Sequence, residues 1–321
     1  GGFDGAIEGL LKSGCYDVLL AVDSDLHVVR SLRRHFPTIP VLRYRLGGEP
    51  SAFADTLARY VPRSRWHQLM IQASPPCTML SLNRDSSVRD SRAAMALTRW
   101  SVRICRFLTV RYFWIEQVPA SYFHLRHPHL FAAVHNLSRY VPQNRQRAVF
   151  ANFPYDHLLS PPSLHPLPAS SYLPHLPDGS RLRNRYGYSV PIDSPSVTVV
   201  GKPIYVLRPD GSKRSITPDE AKVLQGFPYS HDWSSHTSVR LAIQWYGDAV
   251  PPPFATAMGW ALARYHLCQP VTWGPSSFFD PIPRDLRPCR PSLYGSLPMG
   301  SCSHSLDHIL LALADSSCGP A

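Results

Sequence analysis

The chain has 321 residues, 44% of them hydrophobic, and carries 33 Lys and Arg against 22 Asp and Glu, a formal charge of +11. That supports a sizeable core and a basic surface suited to a polyanion. The seven cysteines (15, 77, 105, 268, 289, 302 and 318) are odd in number and form no CxxC, which argues against a disulfide framework or a zinc knuckle and for a reduced, intracellular setting; no apolar run is long enough to span a membrane.

Ile7, Leu10 and Leu11 recur at helical spacing after Phe3, and Gly14 supplies a stop. Tyr16 to Val22 reads as a strand ending in Asp23-Ser24-Asp25. A carboxylate there can accept hydrogen bonds from ribose hydroxyls or cap the next helix, DLHVVRSLRRHF. Asp25 suits the cap and Asp23 the ribose. Val41-Leu42 is a short strand and SAFADTLARYV a helix. Leu69-Met70-Ile71 then forms a buried strand that Ser74-Pro75-Pro76 stops. Cys77 therefore sits in a stiff loop at the carboxyl end of a strand, the edge where open α/β sheets bind ligands. The polar run SLNRDSSVRDSR follows and offers Arg84 to phosphates.

Ala94, Leu97, Val102 and Cys105 predict a helix over 92–107 that buries Cys105. Tyr112 to Ile115 is a strand that delivers Glu116, at the same edge as Cys77 if the strands are parallel. Phe131 to Leu137 reads as a helix. Arg145 and Arg147 precede the strand Ala148-Val149-Phe150 and face the same way at period two. Residues 154–212 are crowded with Pro, Ser and His; in them Arg181, Arg183 and Arg185 lie beside Tyr186 and Tyr188, a mixture suited to a phosphate backbone and a stacked base. Thr217-Pro218-Asp219-Glu220 is a capping box, and Phe254 to Leu267 an amphipathic helix. Beyond Gln269 the chain is rich in Pro, Ser and Cys and reads as flexible, with HILLALA at 308–314 as a short helix.

Five stretches occur in a telling order: PPC at 75–77, WIEQVP at 114–119, YVPQNRQR at 140–147, RSITPDEAKVLQGFP at 214–228 and GDAVPPPFATAMG at 247–259. Together they resemble the cytosine-C5 DNA methyltransferase family over residues 1 to about 264. The resemblance implies a Rossmann-like α/β sheet. The catalytic core would span 1–153, a short target-recognition region 154–212, a return segment 213–267 and a tail 268–321. It implies catalytic roles for Cys77, as the thiolate that adds to cytosine C6, for Glu116 at N3, and for Arg145 and Arg147 at the target nucleotide. S-adenosyl-L-methionine would be held by Gly1, Gly2, Phe3, Asp23, Pro75, Asp248, Ala249 and Val250, with no metal. Gly1 and Gly2 resemble the last glycines of the family's Phe-x-Gly-x-Gly-Gly turn, which implies a first strand upstream of residue 1. A second alignment places that turn at Gly2 to Gly5.

Double-stranded DNA is the implied partner of a monomer, through Arg84, Arg181, Arg183, Arg185 and Tyr186, and the nucleus the location in a eukaryote. Transfer RNA is the acceptor of one family branch, and a catalytically dead nucleic-acid-binding relative is the other reading. Five positions depart from the family pattern. Thr78 stands for Gln, Gln117 and Asp248 each stand for Asn, Tyr140 stands for Gly, and no Asp follows Val41-Leu42.

Overall fold

The computed structural model describes residues 5–75, 91–123, 125, 129–200, 203–232, 238–268 and 309–314. Seven strands form one sheet in the order β2-β1-β11-β3-β4-β6-β5. They are β1 (Asp17–Asp23), β2 (Val41–Arg43), β3 (Leu69–Ser74), β4 (Tyr112–Gln117), β5 (Phe131–Asn136), β6 (Gln146–Ala151) and β11 (Ile309–Ala314). Pairing is parallel except at β6, which runs antiparallel to both β4 and β5. This is the Rossmann-like α/β architecture expected from the sequence.

Helices cover both faces, so the central strands alternate between two cores. Met70, Tyr112, Trp114 and Val149 meet side chains of α1 (Gly5–Ser13), α2 (Leu26–His35) and α7 (Pro252–Cys268). Leu69, Ile71, Phe113, Ile115 and Phe150 meet α3 (Pro50–Leu57) and α4 (Ser91–Phe107). Burial on both faces is why these strands read as continuous apolar runs. Cys105 is fully buried in the second core, and burial raises its thiol pKa well above the usual range.

Local chemistry sets the helix ends. Asp25 caps α2, its Oδ1 accepting from the His27 N–H at 2.7 Å. Thr217 and Glu220 close a full capping box on α5 (Pro218–Leu224). Gly5 and Gly9 let α1 lie directly on α7: a β-carbon at Gly5 would strike the Val250 carbonyl, and one at Gly9 the Pro252 carbonyl.

Two elements differ from expectation. Residues 131–136 form strand β5 rather than a helix, paired along its whole length with β6. HILLALA is likewise no helix: its residues 309–314 are β11, inserted between β1 and β3. In both, tertiary pairing overrides a local pattern that is ambiguous for short apolar runs.

A second sheet, β10-β9-β7-β8, stands apart. It joins β7 (Arg181–Asn184), β8 (Ser189–Pro191), β9 (Ile204–Leu207) and β10 (Lys213–Ser215), all antiparallel. Leu182, Val190 and Val206 fill its inner face. The chain returns from it through α5 and α6 (Val239–Asp248) to α7.

Candidate active site

The site lies at the carboxyl edge of the parallel strands. Ala73 pairs with Ile115, so Ser74 and Glu116 end neighbouring strands level with each other. Both face the α1–α7 layer, in phase with Met70 and Trp114. Glu116 is buried; its Oε2 accepts from Ser74 Oγ at 2.8 Å. Its Oε1 lies 2.6 Å from Arg147 Nε, a charge contact whose angle falls short of a hydrogen bond. Arg147 is itself buried. The sequence offered Glu116 and Arg147 separately; the structure joins them through antiparallel β4–β6 pairing and adds Ser74, a residue that sequence reading passed over as a strand stop.

Gln117 ends β4. Its Nε2 donates to the Pro75 carbonyl at 3.1 Å and lies 3.3 Å from Thr98 Oγ1, while its Oε1 accepts from the Val118 N–H at 2.9 Å. The amide one methylene longer than the family's Asn thus still holds the residue that opens the Pro-Pro-Cys loop. Cys77, Arg84, Gly1, Gly2 and Phe3 lie outside the described residues.

Arg145 is not part of the Glu116 cluster. It is 1% exposed, and it donates to the carbonyls of Val199 (3.2 Å), Gly247 (2.9 Å) and Ala249 (3.1 Å). Its expected contact with a target nucleotide gives way to a bracing role. Gln143 completes the brace: Oε1 accepts from the Val199 N–H, and Nε2 donates to the Leu224 carbonyl and to Gln225 Oε1, both at 2.7 Å. Gln225 Nε2 in turn donates to the Ala249 carbonyl at 2.6 Å. Three motifs far apart in sequence, around 143–145, 224–225 and 247–249, are therefore one buried polar hub. Buried amides and guanidinium groups call for such partners.

Asp23, 1% exposed, ends β1 on the same edge; its Oδ1 accepts from the Asp25 N–H at 2.8 Å. The cap and the strand-end carboxylate are thus separate residues, as the sequence implied. Asp248 is exposed. Desolvation raises its carboxyl pKa, against the lowering effects of Arg145, a hydrogen bond from Gln244, and Arg147. Ala249 and Val250 are buried.

These residues fit S-adenosylmethionine. A buried strand-end carboxylate suits ribose hydroxyls. Beneath Ser74 and Glu116, paired Gln72 and Trp114 each bury a side-chain N–H donor, Nε2 and Nε1, that lacks a partner among the described residues. Buried donors without partners call for an acceptor.

In the second sheet Arg183, Arg185, Tyr186 and Tyr188 are exposed around the hairpin turn. Arg185 lies over the Tyr186 ring, 5.0 Å from its centroid. Arg181 is exposed but donates to Ser189 Oγ at 3.0 Å. Cross-strand register adds Tyr205 and Lys213 to the same outward face, Lys213 Nζ lying 3.9 Å from the Tyr205 ring centroid. Sequence reading missed this pair; the alternation of IYVL and the cation after its turn were the available signal.

Among the described residues no helix is long and apolar enough to cross a membrane. No curated protein matches the chain. Solved structures share its fold at low identity. A protein described as a DNA modification methyltransferase encoded within an E. coli prophage aligns with a TM-score of 0.60 and 18% identity, over 83% of this chain and 97% of its own. The Entamoeba histolytica methyltransferase EhMeth gives 0.55 and 15%, over 82% and 97%. Schizosaccharomyces pombe Dnmt2 methyltransferase gives 0.53 and 13%, over 84% and 97%. Residues 180–264, the second sheet and the return segment through α7, match the family model of C-5 cytosine-specific DNA methylases.

Proposed function

We propose that the protein transfers a methyl group from S-adenosyl-L-methionine to C5 of cytosine in double-stranded DNA through a covalent intermediate on Cys77. The observation that carries this reading is the buried Ser74–Glu116–Arg147 cluster beside Pro75, whose carbonyl Gln117 holds. Cytosine C5 is a poor nucleophile until a thiolate adds to C6. Glu116 meets N3 as charge builds on the ring. Ser74 and Arg147 fix the carboxylate for that contact. When bound, the cofactor supplies an electrophilic methyl group. Loss of the C5 proton and release of the Cys77 thiolate by β-elimination complete the cycle. Asp23 binds the cofactor ribose, and Asp248, Ala249 and Val250 border the cofactor cleft. The exposed Arg183, Arg185 and Tyr186 hold the strand whose base leaves its stack.

The test is a duplex carrying 5-fluorocytosine, from which elimination is blocked because fluorine does not leave C5 as a proton does. With cofactor, wild type should form an adduct at Cys77 that survives denaturation. Cys77→Ser should form none, and Glu116→Gln should form it far more slowly. An adduct at another cysteine would overturn the assignment. A labelled methyl group appearing in transfer RNA and not in duplex DNA would move the substrate to RNA. Retained nucleic-acid binding with no transfer to either would make the chain a binding relative.

A further inference from the structure

The second sheet turns one side to the protein and the other to solvent. Leu182, Val190 and Val206 point inward, and on β10 Arg214 turns inward to the buried Glu220. The alternate positions therefore project outward: Arg181 and Arg183 on β7, Tyr205 and Leu207 on β9, and Lys213 on β10. Register sets them in rows. Arg183 stands directly opposite Tyr205, and Leu207 lies between Arg181 and Lys213. The three cations are exposed and Tyr205 and Leu207 are half-buried. No outward position of the four strands carries an acid.

The Arg183–Tyr205 row lies towards the end of β7 that runs into the hairpin turn. Asn184 fixes that turn, its Oδ1 accepting from the Tyr186 and Tyr188 N–H groups at 3.0 and 3.1 Å. Tyr205, with Lys213 against its ring, and Tyr186, with Arg185 over its ring, are thus brought to one end of the sheet. Cations alone would serve the phosphates of any nucleic acid. A tyrosine ring on an open sheet face adds something that a closed duplex has little use for, because paired bases keep their faces inside the stack. Unpaired bases offer theirs, and aromatic rings on sheets stack them with little regard to sequence. Neighbouring strands lie about 4.8 Å apart, so the ring and its flanking cations fall within the reach of one nucleotide. We infer that this outer face is a stacking platform for unpaired DNA, with Tyr205 and Lys213 as positioning residues, so that the preferred substrate is a duplex opened beside its target cytosine. The inference rests on the proposed function only in taking DNA as the partner.

Fluorescence anisotropy of labelled DNA, measured on the full chain, tests this without any catalytic step. A fully paired duplex should be compared with the same duplex carrying an unpaired loop in one strand next to its cytosine. Wild type should bind the looped DNA about tenfold more tightly, the worth of one stacked base. Tyr205→Leu keeps an apolar residue in the strand and removes the ring. It should abolish that preference and leave affinity for the paired duplex within about twofold. Tyr205→Phe should keep the preference. Lys213→Gln should lower the salt slope for the looped DNA by about 0.7 unit, the share of one phosphate on a single strand. Equal affinity of wild type for the two DNAs would overturn the inference. So would equal losses on both from Tyr205→Leu, a Phe variant that behaves like the Leu variant, or an unchanged slope in Lys213→Gln. If the preference follows the ring but no methyl group reaches either DNA, the platform stands and the transferase reading fails; methyl transfer without the preference gives the reverse.

Discussion

Glu220 offers the sharpest quantitative test of the packing between the second sheet and the return segment. Its carboxylate is 4% exposed. Arg214 donates to Oε2 at 2.7 Å and also reaches Oε1, His175 Nε2 lies 2.7 Å from Oε1, and the Thr217 N–H donates to Oε2 at 2.8 Å. Burial alone would raise the carboxyl pKa, but the Arg214, Thr217 and His175 hydrogen bonds outweigh it and bring it down to about 2. The unfolded chain has an ordinary value near 4.5. A depressed folded value adds stability above the unfolded pKa, and that stability is lost as pH falls through 4.5 towards 2. Linkage gives about 3 kcal/mol at pH 7 and ~1.4 kcal/mol at pH 3. Glu220→Gln removes the charge and turns an amide N–H₂ towards the Arg214 donors. Urea unfolding of wild type and variant should therefore differ by about 3 kcal/mol at pH 7 and by roughly half that at pH 3. Equal differences at both pH values would show that the charge is not the source. A difference under about 1 kcal/mol at pH 7 would show the pair to be as weak as a surface salt bridge.

Asp23→Asn should weaken S-adenosylmethionine binding by about 1.5–3 kcal/mol, the worth of a hydrogen bond to a charged group; unchanged affinity in a folded variant would remove Asp23 from the cofactor site. Gln117→Ala frees the Pro75 carbonyl and should lower kcat about 10²-fold, the cost of misplacing a reacting group by an ångström, with cofactor affinity within threefold; a loss confined to cofactor affinity would refute the bracing role. Arg183→Ala should weaken DNA binding and flatten its salt dependence by about one unit of slope, and an identical slope would mean that Arg183 faces only solvent.

How much was legible depended on where each strand lies. β1, β3 and β4 are buried on both faces, so their apolar runs were unmistakable between Pro, Gly and acidic stops. β5 is half-exposed along its length and carries two alanines, so FAAVHN shows neither strand alternation nor a strand-forming composition. ILLALA in β11 has apolar residues at every position and six residues in all, which fits a helix turn or a strand equally. What decided it is the pair of open parallel edges offered by β1 and β3, a fact of topology that no local window contains. At the site, residue types announced Glu116, Arg147 and Asp23. The roles of Ser74, Gln143 and Gln225 came from cross-strand register and from contacts spanning up to 82 positions.

The departures from the family pattern can be weighed by what each does to a neighbour. Gln117 reaches the Pro75 carbonyl because Thr98, on α4, takes up its second donor and the Val118 N–H pins its oxygen. The longer side chain is thus fixed at three points, and rotamer freedom, the usual cost of an extra methylene, is already removed by packing. Tyr140 stands edge-on to Phe254 with ring centroids 5.2 Å apart, filling space between the brace and α7 that a glycine would leave empty. Asp248 is different in kind, since it places a carboxylate where the family has a neutral amide. Arg145 and Arg147 offset that charge, and Arg145 also grips the carbonyls on either side of it. These three departures are met by residues already present in the fold, two of them from the Gln-x-Arg-x-Arg stretch. All three lie around one brace, in which Arg145 and Gln225 share the Ala249 carbonyl.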